Sequence, residues 1–117
     1  MRNQSIVVHL QGTIPASTNL TLTSKMLNPG GLVRWDYIAL INKTSAANFG
    51  AIEFINGTAS IVLDKRALTA NTAVHIEPRA VLPTDYLPQV TVTTGTAGDD
   101  VEAVFIGELV QPFDPSA

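Results

Sequence analysis

Apolar and polar residues alternate with period two along most of this chain, in short runs separated by Gly, Pro, Asn and Asp. That periodicity belongs to strands with one buried and one wet face, and its repeated interruption by turn residues belongs to a sandwich or small barrel. Strands are expected at about residues 4–10, 18–25, 32–42, 50–56, 59–64, 72–77, 88–94 and 100–110. In the second run Leu20 and Leu22 face one way and Thr21 and Thr23 the other, before Asn28-Pro29-Gly30-Gly31 ends it as a turn.

The third run carries more information. Val33, Trp35, Tyr37, Ala39 and Ile41 fall on one face, while on the other Arg34 and Asp36 give way to Ile38 and Leu40. The second half of this strand is apolar on both sides. Such a strand lies centrally in a sheet covered on both faces, or one face meets a partner subunit. On this reading Ile38 and Leu40 are candidate partner-binding residues.

Asn56-Gly57 separates Ala51–Ile55 from Ser60–Leu63 and predicts a hairpin with a type I′ turn, since both residues tolerate positive φ. A second, looser hairpin is expected where Val90, Val92 and Thr94 lead through residues 95–100 into Val101, Ala103, Phe105, Gly107 and Leu109. Asp64 to Ala73 is the one helix candidate, and Thr69, Asn71 and Thr72 limit it to a single turn. Pro78, Pro83 and Pro88 remove ladder donors, so Arg79 to Leu87 is expected to be an extended loop.

These signals predict an all-β fold: an antiparallel two-sheet β-sandwich, jelly-roll-like, of about eight short strands. An immunoglobulin-like topology is the alternative, although its Cys–Trp–Cys signature is absent. The 117 residues suit one core, so residues 1–110 form a single domain and 111–117 an extended, Pro-rich C-terminal arm. Within that arm Phe113 lies between Pro112 and Pro115, and a stiff extended segment loses little entropy on docking. Phe113 is the third candidate partner-binding residue.

Composition sharpens the expectation of assembly. The chain is 45% hydrophobic and only 15% charged, against roughly 25% charged in an average soluble domain. Ser, Thr, Asn and Gln take the place of charge, and a neutral polar surface loses less to desolvation when it docks. A monomer with a Thr-rich β surface has the same composition. The net charge is -3 and the seven basic residues are scattered, which argues against nucleic-acid binding. No apolar run reaches the length of a signal h-region or a membrane span, so synthesis and folding in the cytoplasm are expected, with no membrane partner.

The candidate chemistry is sparse. His9 and His75 alternate with apolar neighbours in separate strands and could share a metal with Glu77 or Asp64, but a zinc site needs three or four converging ligands. Asp99, Asp100 and Glu102 place three carboxylates near Gly98, in a spacing that matches no EF-hand. No G-x-S-x-G elbow occurs among the many Ser and Thr. Four Asn-x-Ser/Thr tripeptides are accounted for by Asn at turns and Thr in strands. Trp35 and Tyr37 could stack on a sugar ring, or belong to the core with Val33, Ala39 and Ile41. No catalytic residue, cofactor or metal is assigned, and the chain is expected not to be an enzyme.

The strand Trp35-Asp36-Tyr37-Ile38-Ala39-Leu40-Ile41-Asn42, the hairpin through Asn56-Gly57 and the segment Val101-Glu102-Ala103-Val104-Phe105-Ile106-Gly107-Glu108 resemble the small capsid decoration (cement) and related virion structural proteins of tailed bacteriophages. The low charge, missing Cys and Pro-rich arm fit the same resemblance. It implies a homotrimeric β-sandwich, assembled in the host cytoplasm and resident in the virion, that binds major capsid protein subunits and stabilises the head. A phage tail or fibre-tip subunit and a carbohydrate- or ligand-binding sandwich are the alternatives. Trp35 or Tyr86 exposed in a groove would mark the ligand-binding module. His9 or His75 beside a carboxylate in a pocket would mark an enzyme.

Overall fold

The period-two runs become nine strands in a computed structural model of the chain, which describes residues 4–25, 31–42, 48–68 and 73–110. They are β1 (Gln4–Thr13), β2 (Leu20–Thr23), β3 (Leu32–Asn42), β4 (Asn48–Asn56), β5 (Ala59–Leu68), β6 (Ala73–Ile76), β7 (Ala80–Pro83), β8 (Leu87–Thr93) and β9 (Asp100–Val110). One sheet has the order β1-β9-β3-β6 with β7 also on β3, and the other the order β2-β8-β4-β5. All pairings are antiparallel. Counting β6 and β7 as one interrupted strand, four strands face four in jelly-roll order.

Between the sheets, Trp35 and Phe105 meet Phe54. Their ring centroids lie 5.4 to 6.0 Å apart, two of the three pairs edge-on, and none of the three is exposed. Edge-to-face contacts of this kind add to the burial of area. Val33, Ile38, Leu40, Ile52, Val90, Val92, Val101 and Leu109 complete the fill from both sheets. Trp35 is therefore core, and the sugar-stacking platform does not form.

The faces of β3 differ from the simple alternation. Opposite β9 the register runs Trp35↔Gly107 and then Tyr37↔Ile106, so Asp36 is one extra residue. A bulge of this kind reverses which side chains point inward. Val33 and Trp35 point to the core, and beyond Asp36 so do Ile38 (0% exposed) and Leu40 (1%). Tyr37, Ala39 and Ile41 turn outward instead. Ile38 and Leu40 thus fill the chain's own core and present no surface to a partner, which corrects their assignment.

Four other expectations change. Residues 90–110 do not form a hairpin, because β8 pairs with β2 and β4 while β9 pairs with β1 and β3. The connecting loop bonds instead to the loop after β1: Ile14 N to Asp99 O at 2.8 Å, Gly98 N to Ile14 O at 2.8 Å and Gly95 N to Thr18 O at 2.9 Å. The β4–β5 hairpin turns at Gly57-Thr58, with positive φ at Gly57 alone, as a type II′ turn requires and a type I′ turn does not. Asp64–Leu68 continues β5 rather than starting a helical turn, and residues 69–72 lie outside the described residues. Finally, Ala80–Pro83 is a strand, not loop. It is short and peripheral, and Pro83 ends it, so the missing N–H costs no central ladder bond.

Candidate interaction surface

Four strands and their registers build one continuous outer face on the β1-β9-β3-β6 sheet. Val7, Ile106 and Tyr37 form a row across β1, β9 and β3; His9, Val104, Ala39 and His75 form the next. Val7 is 64% exposed and Ile106 39%, and on β7 Val81 is 52% exposed. The Tyr37 and His75 rings meet edge-on with centroids 5.8 Å apart, and Ala39, opposite His75 in the ladder, is 8% exposed. The result is an apolar band facing solvent, which the bulge at Asp36 creates by turning Tyr37, Ala39 and Ile41 outward.

Charge borders the band on one side. Arg34 donates from Nε to Asp36 Oδ1 at 2.7 Å and from Nη2 to Glu108 Oε2 at 2.9 Å. The hydrogen bond from Arg34 holds the Asp36 carboxyl below its ordinary value, with Arg79 adding a smaller attraction, and Asp36 in turn raises the Arg34 guanidinium. Where Glu77, Pro78 and Arg79 interrupt the strand between β6 and β7, a cleft of about 480 Å³ opens, lined by Arg34, Asp36, Glu77 and Arg79. Arg79 has φ +50°, which lets the chain leave β6 and rejoin β3 as β7.

His9 Nε2 lies 2.6 Å from Glu102 Oε1. The pair sits on the open sheet face, where the His9 side chain is 47% exposed. His75 occupies the same row but is separated from His9 by β9 and β3, about 14 Å at the usual strand spacing. The two histidines cannot share a metal. The three carboxylates of residues 99–102 also diverge. Asp99 is buried, Asp100 Oδ1 accepts from the Thr13 hydroxyl at 3.0 Å, and Glu102 faces His9. Among the described residues no group of three His, Asp or Glu is placed to hold a metal.

The outer face of the second sheet is different in kind. Thr91, Thr93, Ala51, Lys65, Phe49 (52% exposed) and Val62 (53%) line a shallow depression of about 140 Å³. Beside it Gln89 donates to Glu53 at 2.8 Å and accepts from Thr23 at 2.6 Å. Phe113 lies outside the described residues. Tyr86 is half-buried, packed against the core from the loop before β8. Val7, Ile106 and Val81 were missed as surface residues, although the alternation of Val7 with Ser5 and His9 already put it on the wet face of its strand.

No protein-family profile matches the chain, and no curated protein does. Among solved structures it is similar over 94% of its length, at 13% identity and TM-score 0.51, to a subunit of Bacillus endospore appendages described as disulfide-linked pili, of which it covers 89%. A structure of infectious bursal disease virus, Gx strain, matches 97% of the chain at 16% identity and TM-score 0.47, and the chain spans 33% of that protein. The Drosophila NLP core matches over 96% of the chain at 14% identity and TM-score 0.43, with all of that chain covered. At 13% identity the likeness to the endospore-appendage subunit concerns the fold alone. The disulfide linkage has no counterpart in this sequence, which contains no Cys.

Proposed function

We propose that this chain is a non-enzymatic virion structural protein of the capsid-decoration kind, which associates with copies of itself and docks on major capsid protein subunits to stabilise the head. The observation that carries the reading is the solvent-facing apolar band of Val7, Ile106 and Tyr37 on a sheet whose interior is already filled. An exposed apolar patch with a charged border is what a protein-binding surface presents. The low overall charge supports it, as does a jelly-roll frame in which each sheet turns one face outward. The resemblance to decoration proteins supplies the capsid as partner and the virion as location.

Residues 111–117 follow β9, whose last residue Val110 pairs with Leu32 at one end of the same sheet. Phe113, buried against a neighbour, could contribute about 1.5–3 kcal/mol to docking, or one to two decades of affinity. The test is co-sedimentation with expanded and unexpanded heads, run beside a melting curve. The reading expects saturable binding to heads, and expects Phe113→Ala to weaken it while the melting curve holds. Absence of binding to any head preparation would remove the capsid reading. Unchanged binding with loss of stability would place Phe113 in its own domain's core.

A further inference from the structure

Among the described residues the fold leaves four sheet edges, and three of them carry devices that prevent pairing. β2 is four residues long. On the far side of the first sheet, β6 and β7 are four residues each, split by Glu77-Pro78-Arg79 and closed by Pro83. β5 is as long as β1, but it is broken in register at Leu63 and carries Asp64, Lys65 and Arg66 in succession. Short length, Pro, bulges and charge are the means by which proteins blunt strand edges.

β1 has none of them. Its ten residues, Gln4–Thr13, pair with β9 in one unbroken register from Gln4↔Leu109 to Thr13↔Asp100. It contains no Pro, Lys, Arg, Asp or Glu. Every second residue directs its N–H and C=O away from β9, and among the described residues β1 has no second ladder. Its outward side chains include Val7, at 64% the most exposed large hydrophobic residue of the described chain.

We infer that β1 is the assembly edge of this protein and pairs, antiparallel, with β1 of a second copy across a twofold axis at Val7. A second copy is the occupant because the edge is compatible with itself: no formal charge on either strand opposes a like charge. With Val7 opposite Val7, Ser5 faces His9 on the outer side and Ile6 faces Val8 on the core side, so both copies keep their inward and outward faces. The apolar row Tyr37–Ile106–Val7 then continues without a break into the Val7–Ile106–Tyr37 row of the second copy. Two sheets become one. The inference deepens the proposed self-association and rests on that part of the reading. A twofold contact gives a dimer or another even-numbered assembly, and it takes the place of the trimer that the resemblance implies.

A chain without Cys allows a clean test. Val7→Cys places one thiol opposite another with Cα atoms about 4.5–5.5 Å apart, within the range a disulfide spans. In a preformed pair the thiols see each other at an effective concentration on the order of millimolar, about a hundredfold above a solution at about 10 µM. Val7→Cys is therefore expected to form a linked dimer about a hundredfold faster than Val81→Cys, on the opposite edge strand, or Val62→Cys, on β5. In the unmodified protein, amide exchange along Gln4–Thr13 is expected to slow with rising protein concentration while β5 stays unchanged. Equal linking rates for the three variants, faster linking through Val62, a purely trimeric mass, or β1 amides indifferent to concentration would each overturn the inference. If Val7→Cys links as expected but the protein ignores heads, the capsid reading fails and the edge stands. If heads are bound by a protein in which β1 never pairs, the reverse holds.

Discussion

Replacing Ile38 with Ala distinguishes a core residue from an interface residue. Ile38 is fully buried beside the bulge at Asp36, paired across the ladder with Phe105 on one side and Ile76 on the other. Truncating such a side chain removes three carbons from a filled interior, at a cost of about 2–5 kcal/mol. For 117 residues the unfolding entropy is about 0.25 kcal/mol/K, so the melting temperature should fall by about 8–20 °C. Total stability for a chain of this length is about 6–18 kcal/mol, so most of the variant remains folded at 25 °C. Unfolding can be followed in urea through the fluorescence of Trp35, the single Trp, which is wholly buried. Light scattering on the same samples reports mass. The expectation is a large loss of stability, with the mass of the folded fraction unchanged. A variant that melts within about 2 °C of the parent but dissociates would refute the reversal of faces at Asp36 and return Ile38 to the partner surface.

Two further perturbations read other parts of the same sheet. A Cβ added at Gly107 would lie 2.7 Å from the Arg34 carbonyl oxygen and 2.9 Å from Trp35 Cε3. Gly107→Ala should therefore cost about 1–3 kcal/mol in thermal melts, and an unchanged midpoint would contradict the close approach of β9 to β3. Asp36 titrates below its ordinary value in the folded chain, chiefly through the hydrogen bond from Arg34. The sign follows: its contribution is present above the unfolded carboxyl value and is lost as pH falls through the lowered folded one. The melting difference between parent and Asp36→Asn should thus be constant above about pH 5 and shrink below about pH 4, by a small amount because the pair is solvent-screened. A difference that grows on acidification would contradict it.

What could be read from the sequence follows from where the determining contacts lie. β3 and β9 were placed to the residue, because eleven-residue alternations bounded by Gly, Asn or Asp are local signals. The jelly-roll-like two-sheet class followed from the spacing of the turns. The faces of β3 beyond Trp35 did not, since the extra residue at Asp36 exists only relative to β9 and nothing in Trp35-Asp36-Tyr37 announces it. The 90–110 segment looked like a hairpin because its two runs are adjacent. Its loop instead bonds to residues 14–18, a contact more than seventy-five residues away in sequence. Pro83 hid β7, since a proline disqualifies a central strand and not the end of a peripheral one. The interaction surface inherited the same error. Beyond Trp35, a strand apolar on both faces was expected, covered on both sides or meeting a partner on one, and its outward side runs through Tyr37, Ala39 and Ile41 rather than Ile38 and Leu40.

The most direct test of self-association through this sheet is the solution mass of the parent protein and of Val7→Asp, measured by sedimentation equilibrium across the micromolar range. Val7 is 64% exposed, so a carboxylate there reaches solvent in the isolated chain, but across the twofold axis it would stand directly opposite the same carboxylate of the second copy, where like charges oppose pairing. The account predicts a parent protein that assembles and a Val7→Asp variant that stays monomeric while melting within a few degrees of it. Identical mass distributions for the two proteins would contradict it.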